Sequence, residues 1–166
     1  EYASKLNVEI CKTDCSAIVS MPFSGFTRIN INSKNSVLLI NHAEIRPSYQ
    51  PGHAHADTLS FELSLFGQRV FVNTGTSQYR LGDERNRQRS TPSHNTLSMD
   101  GENSSEVWSG FRVARRAKVT EYTFSENEGK AIVSASHDGY ARFDSKYIHQ
   151  RFWESTPKTL EISDFF

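Results

Sequence analysis

Apolar and polar residues alternate one by one through Leu59-Ser60-Phe61-Glu62-Leu63-Ser64-Leu65, the period of a strand with one face on a core and the other toward solvent or a groove. Elsewhere Val, Ile, Thr, Phe and Tyr recur in short runs broken by Gly, Asn, Ser and Asp, and helical periodicity is scarce. That pattern predicts an all-β, antiparallel domain of about ten to twelve strands. The predicted strands are 17–21, 26–31, 36–40, 58–66, 69–73, 95–99, 112–122, 130–136, 147–153 and 159–164. Phe66-Gly67-Gln68-Arg69 turns the chain between two of them. A two-residue loop there pairs Leu63 with Val72, whereas a three-residue loop pairs it with Asn73 and reverses the faces of the second strand. Segment 75–93, rich in charge and carrying Gly82 and Pro92, is too polar for a buried strand and reads as a functional loop.

At 166 residues the chain fits one domain with a real core. Residues 17–166 carry the strand pattern, while 1–16 read as a linker or the remnant of a preceding helical domain. The abrupt start at Glu1-Tyr2 and the end on Asp164-Phe165-Phe166, inside a strand pattern, mark an excerpt of a longer protein. Lys plus Arg equals Asp plus Glu at 19 each, so no field of one sign recruits nucleic acid or acidic lipid. No apolar run reaches the roughly 18 residues needed to cross a bilayer. Cys11 and Cys15 are the two cysteines, which excludes a four-cysteine zinc site and leaves a disulfide open. Arg80, Arg85, Arg87 and Arg89 form a local basic patch. Such a patch is either solvated loop or a clamp of planar guanidinium forks for carboxylate or sulfate.

The chemistry concentrates in Gly52-His53-Ala54-His55-Ala56-Asp57, with a third imidazole in Ser93-His94-Asn95-Thr96. Imidazoles two apart project the same way from extended backbone, and with a carboxylate they offer the ligands that zinc-class metals favour. The plainer alternative is a surface turn with hydrogen-bonded histidines. Eight residues separate His55 from Leu63, roughly 26 Å of strand, so a site shared with Asn73 requires Pro51-Gly52 to curl the histidine segment back over the sheet. The cupin pattern is a poor match. Six residues intervene before Glu62, and no Gly stands three residues before His94.

A closer match comes from four stretches taken in order: His53-Ala-His55-Ala-Asp57-Thr-Leu-Ser-Phe61, Val72-Asn73-Thr-Gly75-Thr-Ser-Gln-Tyr79, Arg89-Ser-Thr-Pro-Ser-His94-Asn95-Thr96, and Asp100-Gly101 through Glu106-Val-Trp108. With Phe23-Ser-Gly25-Phe, His137-Asp138-Gly139-Tyr140 and His149-Gln-Arg151, they resemble the heparinase II/III-like family of polysaccharide lyases over residues 20–166. The resemblance implies an antiparallel β-sandwich of the super-sandwich type, with little helix. It also implies an N-terminal α/α toroid elsewhere in the same protein, and a bacterial, periplasmic or secreted enzyme that cleaves an acidic, uronic-acid-containing polysaccharide by β-elimination. His53 matches the catalytic histidine, and imidazole is the side chain most suited to proton transfer near neutrality. The family's structural metal, usually zinc, carries over to His55, Asn73 and His94. Asn73 is a departure, because a neutral carbonyl stands where the family has an anionic oxygen. Asp57 is a candidate for the missing charge, and a hydrogen-bonded cluster without metal is the alternative. Tyr79 and Arg89 are candidate substrate-groove residues, or else a packed Tyr and a surface Arg. His137 and Tyr140 read as turn and core residues, and Trp108 and Trp153 as core or sugar-stacking aromatics. A non-catalytic polysaccharide-binding or surface-polysaccharide assembly module is the second functional expectation.

Overall fold

The structure, a computed structural model, describes residues 17–32 and 35–166; the expected 1–16 linker and both cysteines lie outside them. Five strands, β1 (Ile18–Met21), β2 (Phe26–Asn32), β3 (Ser36–Asn41), β4 (Phe61–Leu65) and β5 (Gln68–Phe71), pair in sequence order as one antiparallel sheet. A short helix, α1 (Asp83–Arg89), leads into a 3₁₀ turn at Thr91–Ser93 and a two-stranded ribbon of β6 (Val107–Trp108) and β7 (Arg112–Val113). The second sheet is a four-stranded meander of β8 (Val119–Asn127), β9 (Lys130–His137), β10 (His149–Ser155) and β11 (Leu160–Phe165). One apolar core joins the two sheets. Ile29, Leu38, Ile40, Phe61 and Leu63 come from the first, and Ala131, Val133, Ala135 and Trp153 from the second. The fold is the antiparallel all-β domain expected from the residue pattern, in the sandwich form that the family resemblance implied.

Strand periodicity explains which residues turn inward. Along β3 the buried positions are Ser36, Leu38 and Ile40, every second residue, and β10 buries His149, Arg151, Trp153 and Ser155 in the same way. Trp153, fully buried, sits opposite Val133 on β9. The small Ala131 and Ala135 on that strand leave room for the indole, as a close-packed interior requires.

Four expectations change. The turn between β4 and β5 is a two-residue loop at Phe66-Gly67, both with positive φ (53° and 80°), the geometry that matches strand twist in tight hairpins. It starts one residue earlier than anticipated, and an irregularity then shifts the register so that Leu63 pairs with Phe71 rather than Val72 or Asn73. Segment 95–99 is not a strand. Asn95 Nδ2 instead donates to the carbonyls of Phe61 and Val72, and Thr96 Oγ1 donates to that of Thr58, so this segment seals the ends of β4 and β5. The predicted strand 112–122 splits into β7 and β8. Segment 75–93 contains helix α1, whose buried face is Arg85, Gln88 and Arg89. That spacing is helical but polar, so hydrophobic periodicity could not reveal it.

His137 and Tyr140 are core residues, both fully buried. Tyr140 Oη donates to the Leu97 carbonyl at 2.7 Å. The Gly139 N–H donates to His137 Nδ1, which leaves the ring proton on Nε2 to reach His149 Nδ1 at 3.0 Å, while His149 Nε2 donates to Asp164 Oδ1 at 2.6 Å. Burial raises the Asp164 carboxyl, but hydrogen bonds from His149 and Arg151 outweigh it and hold the group well below the usual carboxylate range. Burial pushes His137 down to about 3, helped by the charges of His149, Arg151 and Arg142.

Because His137 takes a proton in the folded state only near pH 3, against 6.5 ordinarily, the unfolded chain binds it first as pH falls. The His137 contribution to stability is therefore complete above pH 6.5 and is lost as pH drops toward about 3, at about 1.4 kcal/mol per pH unit. Melting temperature should fall more steeply across that window in the wild type than in His137→Gln. Equal slopes would contradict the account.

Candidate functional site

Segment 52–58 enters β4 without ladder partners of its own, so its backbone must find them elsewhere. They come from α1 and the turn after it. Arg85 Nη2 donates to the Gly52 carbonyl, Arg89 Nε to the Ala54 carbonyl at 2.8 Å and Thr91 Oγ1 to the Ala56 carbonyl at 2.8 Å, while the Ala56 N–H donates to the Arg89 carbonyl. Every second carbonyl of the segment is thus tied to one helix and its turn. The curl anticipated at Pro51-Gly52 is present, and it brings the histidines to the end of the first sheet.

His53 is exposed at the rim of an open groove of about 590 Å³ that also takes in His55, Asp57 and Asn73. Tyr79 meets His53 edge-on, with ring centroids 5.5 Å apart, and stacks on Phe111. Tyr79 therefore lies beside His53, half-exposed, although it is not among the residues lining the groove.

His55 and His94 meet beneath, with ring centroids 5.2 Å apart. Asn73 joins them through Oδ1, which accepts from His94 Nδ1 at 3.0 Å. The three residues expected at the family's metal position are therefore brought together. Burial pushes both imidazoles down to about 4, and for His55 the charges of His94, Arg85 and Arg89 add to the effect. Both are neutral at pH 7. His55 Nε2 lies 3.3 Å from both Arg85 Nη1 and Thr76 Oγ1, and His94 Nε2 is buried with no partner. Asp57 does not complete the set. Its carboxylate accepts from Asn41 Nδ2 at 3.1 Å, and burial raises it to about 6. Among the described residues no three His, Cys, Asp or Glu side chains gather as a metal site.

Arg89 is not in the groove. Its side chain is fully buried, and besides Ala54 it donates to the carbonyls of Trp108 and Arg112. Burial and the Arg85 charge pull it down to about 10, still a cation at neutral pH. The groove's own arginines are Arg46 and Arg69, paired with Glu44 at 2.8 Å and Glu62 at 2.9 Å. Neither was singled out from sequence, since isolated Arg–Glu spacings carry no signal. Arg85 was legible only as part of a basic patch. The better clue was its spacing of four from Arg89, behind Gly82, Asp83 and Glu84. Trp108 is half-exposed with the Arg112 guanidinium over its ring, whereas Trp153 is core.

These features define a β-sandwich domain with a histidine-lined groove at one edge. Residues 14–166 match the family model described as heparinase II/III-like, C-terminal, and the chain belongs to that family. Its fold is similar to the heparan sulfate lyase HepC from Pedobacter heparinus, with a TM-score of 0.70 and 19% identity over 98% of this chain and 24% of that one. The heparinase III-BT4657 gene product gives 0.69 and 19% over the same shares, and a further heparinase III gives 0.61 and 20% over 85% and 21%. The chain thus spans about a quarter of the length of the first two. Among curated proteins no sequence match was found.

Replacing Arg89 with Met keeps the aliphatic stem but strands three carbonyls. Arg89→Met should lose about 1–3 kcal/mol in denaturant unfolding, the cost of leaving a buried polar group unpaired, because the three carbonyls are only partly buried. A loss below about 1 kcal/mol, the size of a typical surface effect, would show that the guanidinium does not hold the groove wall.

Proposed function

We propose that this chain is the sandwich portion of a bacterial polysaccharide lyase, periplasmic or secreted, and that His53 transfers the proton in β-elimination at a uronic acid unit. The reaction removes the hydrogen on the carbon bearing the carboxylate, forms a carbon–carbon double bond and expels the 4-linked sugar oxygen, which takes up a proton. It needs a base, an acid and neutralisation of the carboxylate. The observation that carries the reading is the division within the His-x-His pair: His53 is exposed in the groove against Tyr79, whereas His55 is tied into the wall. An exposed imidazole can exchange protons with a bound sugar. The His55 ring also borders the groove, but its Nε2 is engaged by Arg85 and Thr76.

The family, and the heparan sulfate lyase among its structural neighbours, support the same chemistry. The remaining acid, base and carboxylate-binding groups belong, on this reading, to the α/α toroid of the full-length protein, so the chain alone should have little activity. No helix among the described residues is long and apolar enough to cross a membrane.

Groove electrostatics narrow the substrate class. Arg46 and Arg69 are balanced by Glu44 and Glu62, and Asp57 adds a further acid. Such exposed pairs are worth little in stability, but their charges cancel, leaving no surplus cation on this wall for dense sulfation. A uronic polysaccharide of low sulfation fits better than a heparin-like one. The half-exposed Tyr79 and Trp108 also suit a second reading, a non-catalytic sugar-binding module.

Full-length protein offered a panel of uronic polysaccharides should generate the ultraviolet absorbance of unsaturated uronate, fastest on non-sulfated members. His53→Ala should lower that rate by about 10²–10⁴-fold with melting unchanged. Product from none of the substrates, or undiminished product from His53→Ala, would replace the lyase reading with the binding module. A preference for heparin would overturn the low-sulfation reading alone.

A further inference from the structure

We propose that the Arg85 guanidinium takes the place of a structural metal ion in this domain, so that the site beneath His53 forms and stays folded without zinc. The family position for the metal falls on His55, Asn73 and His94, and the hydrogen bonding of those three residues in this chain does not fit one. Asn73 Oδ1 accepts from His94 Nδ1 at 3.0 Å and from the Gly75 N–H at 3.1 Å, which fills both lone pairs of an amide oxygen. His55 Nε2 faces Arg85 Nη1 at 3.3 Å. Arg85 Nη1 also donates to Thr76 Oγ1 at 3.1 Å, which frees the Thr76 hydroxyl proton to point at the same imidazole nitrogen, 3.3 Å away. Among the described residues, His94 Nε2 is buried without a hydrogen-bond partner. A structural zinc site draws four ligands, usually thiolates, imidazoles and carboxylates, and with His55 Nε2 and Asn73 Oδ1 already engaged these three residues do not present such a set.

Charge points the same way. A divalent cation on His55 would sit beside a fully buried guanidinium, while the ligand that would offset it is the neutral Asn73 and the nearby carboxylate of Asp57 is engaged by Asn41. Arg85 meanwhile does the cross-linking expected of a metal. It donates to the carbonyls of Gly110 and Gly52, to Thr76 and to His55, linking its own helix to three other segments, and its Cζ lies 5.3 Å from the Tyr79 ring centroid and 5.7 Å from that of Phe111. A planar cation with five fixed donors can hold several acceptors at once.

The test uses full-length protein produced with zinc in the medium, and it reads metal content and melting rather than activity, so it stands apart from the lyase reading. Elemental analysis should find far less than one zinc, calcium or iron per chain, and neither a chelator nor excess zinc should move the melting temperature, because a ligand that does not bind the native state cannot stabilise it. Arg85→Met should lower the melting temperature. The double variant Arg85→Met with Asn73→Asp, which removes the cation and restores an anionic oxygen, should gain a zinc-dependent rise in melting temperature that the wild type lacks. One metal per chain whose removal lowers the wild-type melting temperature would overturn the proposal, even if neither variant folds.

Discussion

Buried guanidinium groups bound to loop carbonyls are the constraint on which the functional edge of this sandwich depends. Three arginines with little or no exposure, Arg85, Arg89 and Arg151, collect backbone oxygens from segments that no sheet ladder reaches. Arg85 takes those of Gly52 and Gly110, Arg89 those of Ala54, Trp108 and Arg112, and Arg151 those of Leu59 and Asn95 while holding Asp164 with two further hydrogen bonds. Loop carbonyls removed from water need partners, and a forked donor supplies several from one side chain. The two helix arginines are four apart on α1, so both project toward segment 52–56.

The proposed function rests on how this wall divides neighbouring residues. The carbonyls of Gly52, Ala54 and Ala56 are taken by the helix and its turn, which fixes the backbone on either side of both imidazoles. His53 remains at the groove surface and His55 enters the hydrogen-bonded cluster with Thr76 and Arg85. A pair that by spacing alone resembles a metal motif thereby separates into an exposed imidazole and one engaged by Arg85 and Thr76. The far end of the sandwich is built similarly from polar parts, with His137, His149, Asp164 and Arg151 linking β9, β10 and β11.

Much of the fold was legible in the sequence because its core obeys strand periodicity. The alternation that becomes β4 and the runs that become β2, β3, β9 and β10 mark real strands, and the histidine, Asn73 and His94 motifs do converge. What escaped was what polar side chains dictate. Helix α1 hides because its inward stripe is Arg85, Gln88 and Arg89. Segment 95–99 looks like a strand by residue type, yet it serves through the side chains of Asn95 and Thr96. Arg89, a candidate groove or surface residue by its place beside the loop, is drawn inside by three carbonyl partners. The β4–β5 register depended on a local irregularity that no residue type announces.

The most direct test of the arginine-held wall is side-chain NMR of the guanidinium groups. Arg85 and Arg89 should show separate, slowly exchanging Nη–H signals, since hydrogen bonds to fixed acceptors prevent rotation, while the exposed Arg80 shows a single averaged one. Averaged, rapidly exchanging signals from Arg85 and Arg89 at neutral pH would mean that the carbonyl clamp does not exist.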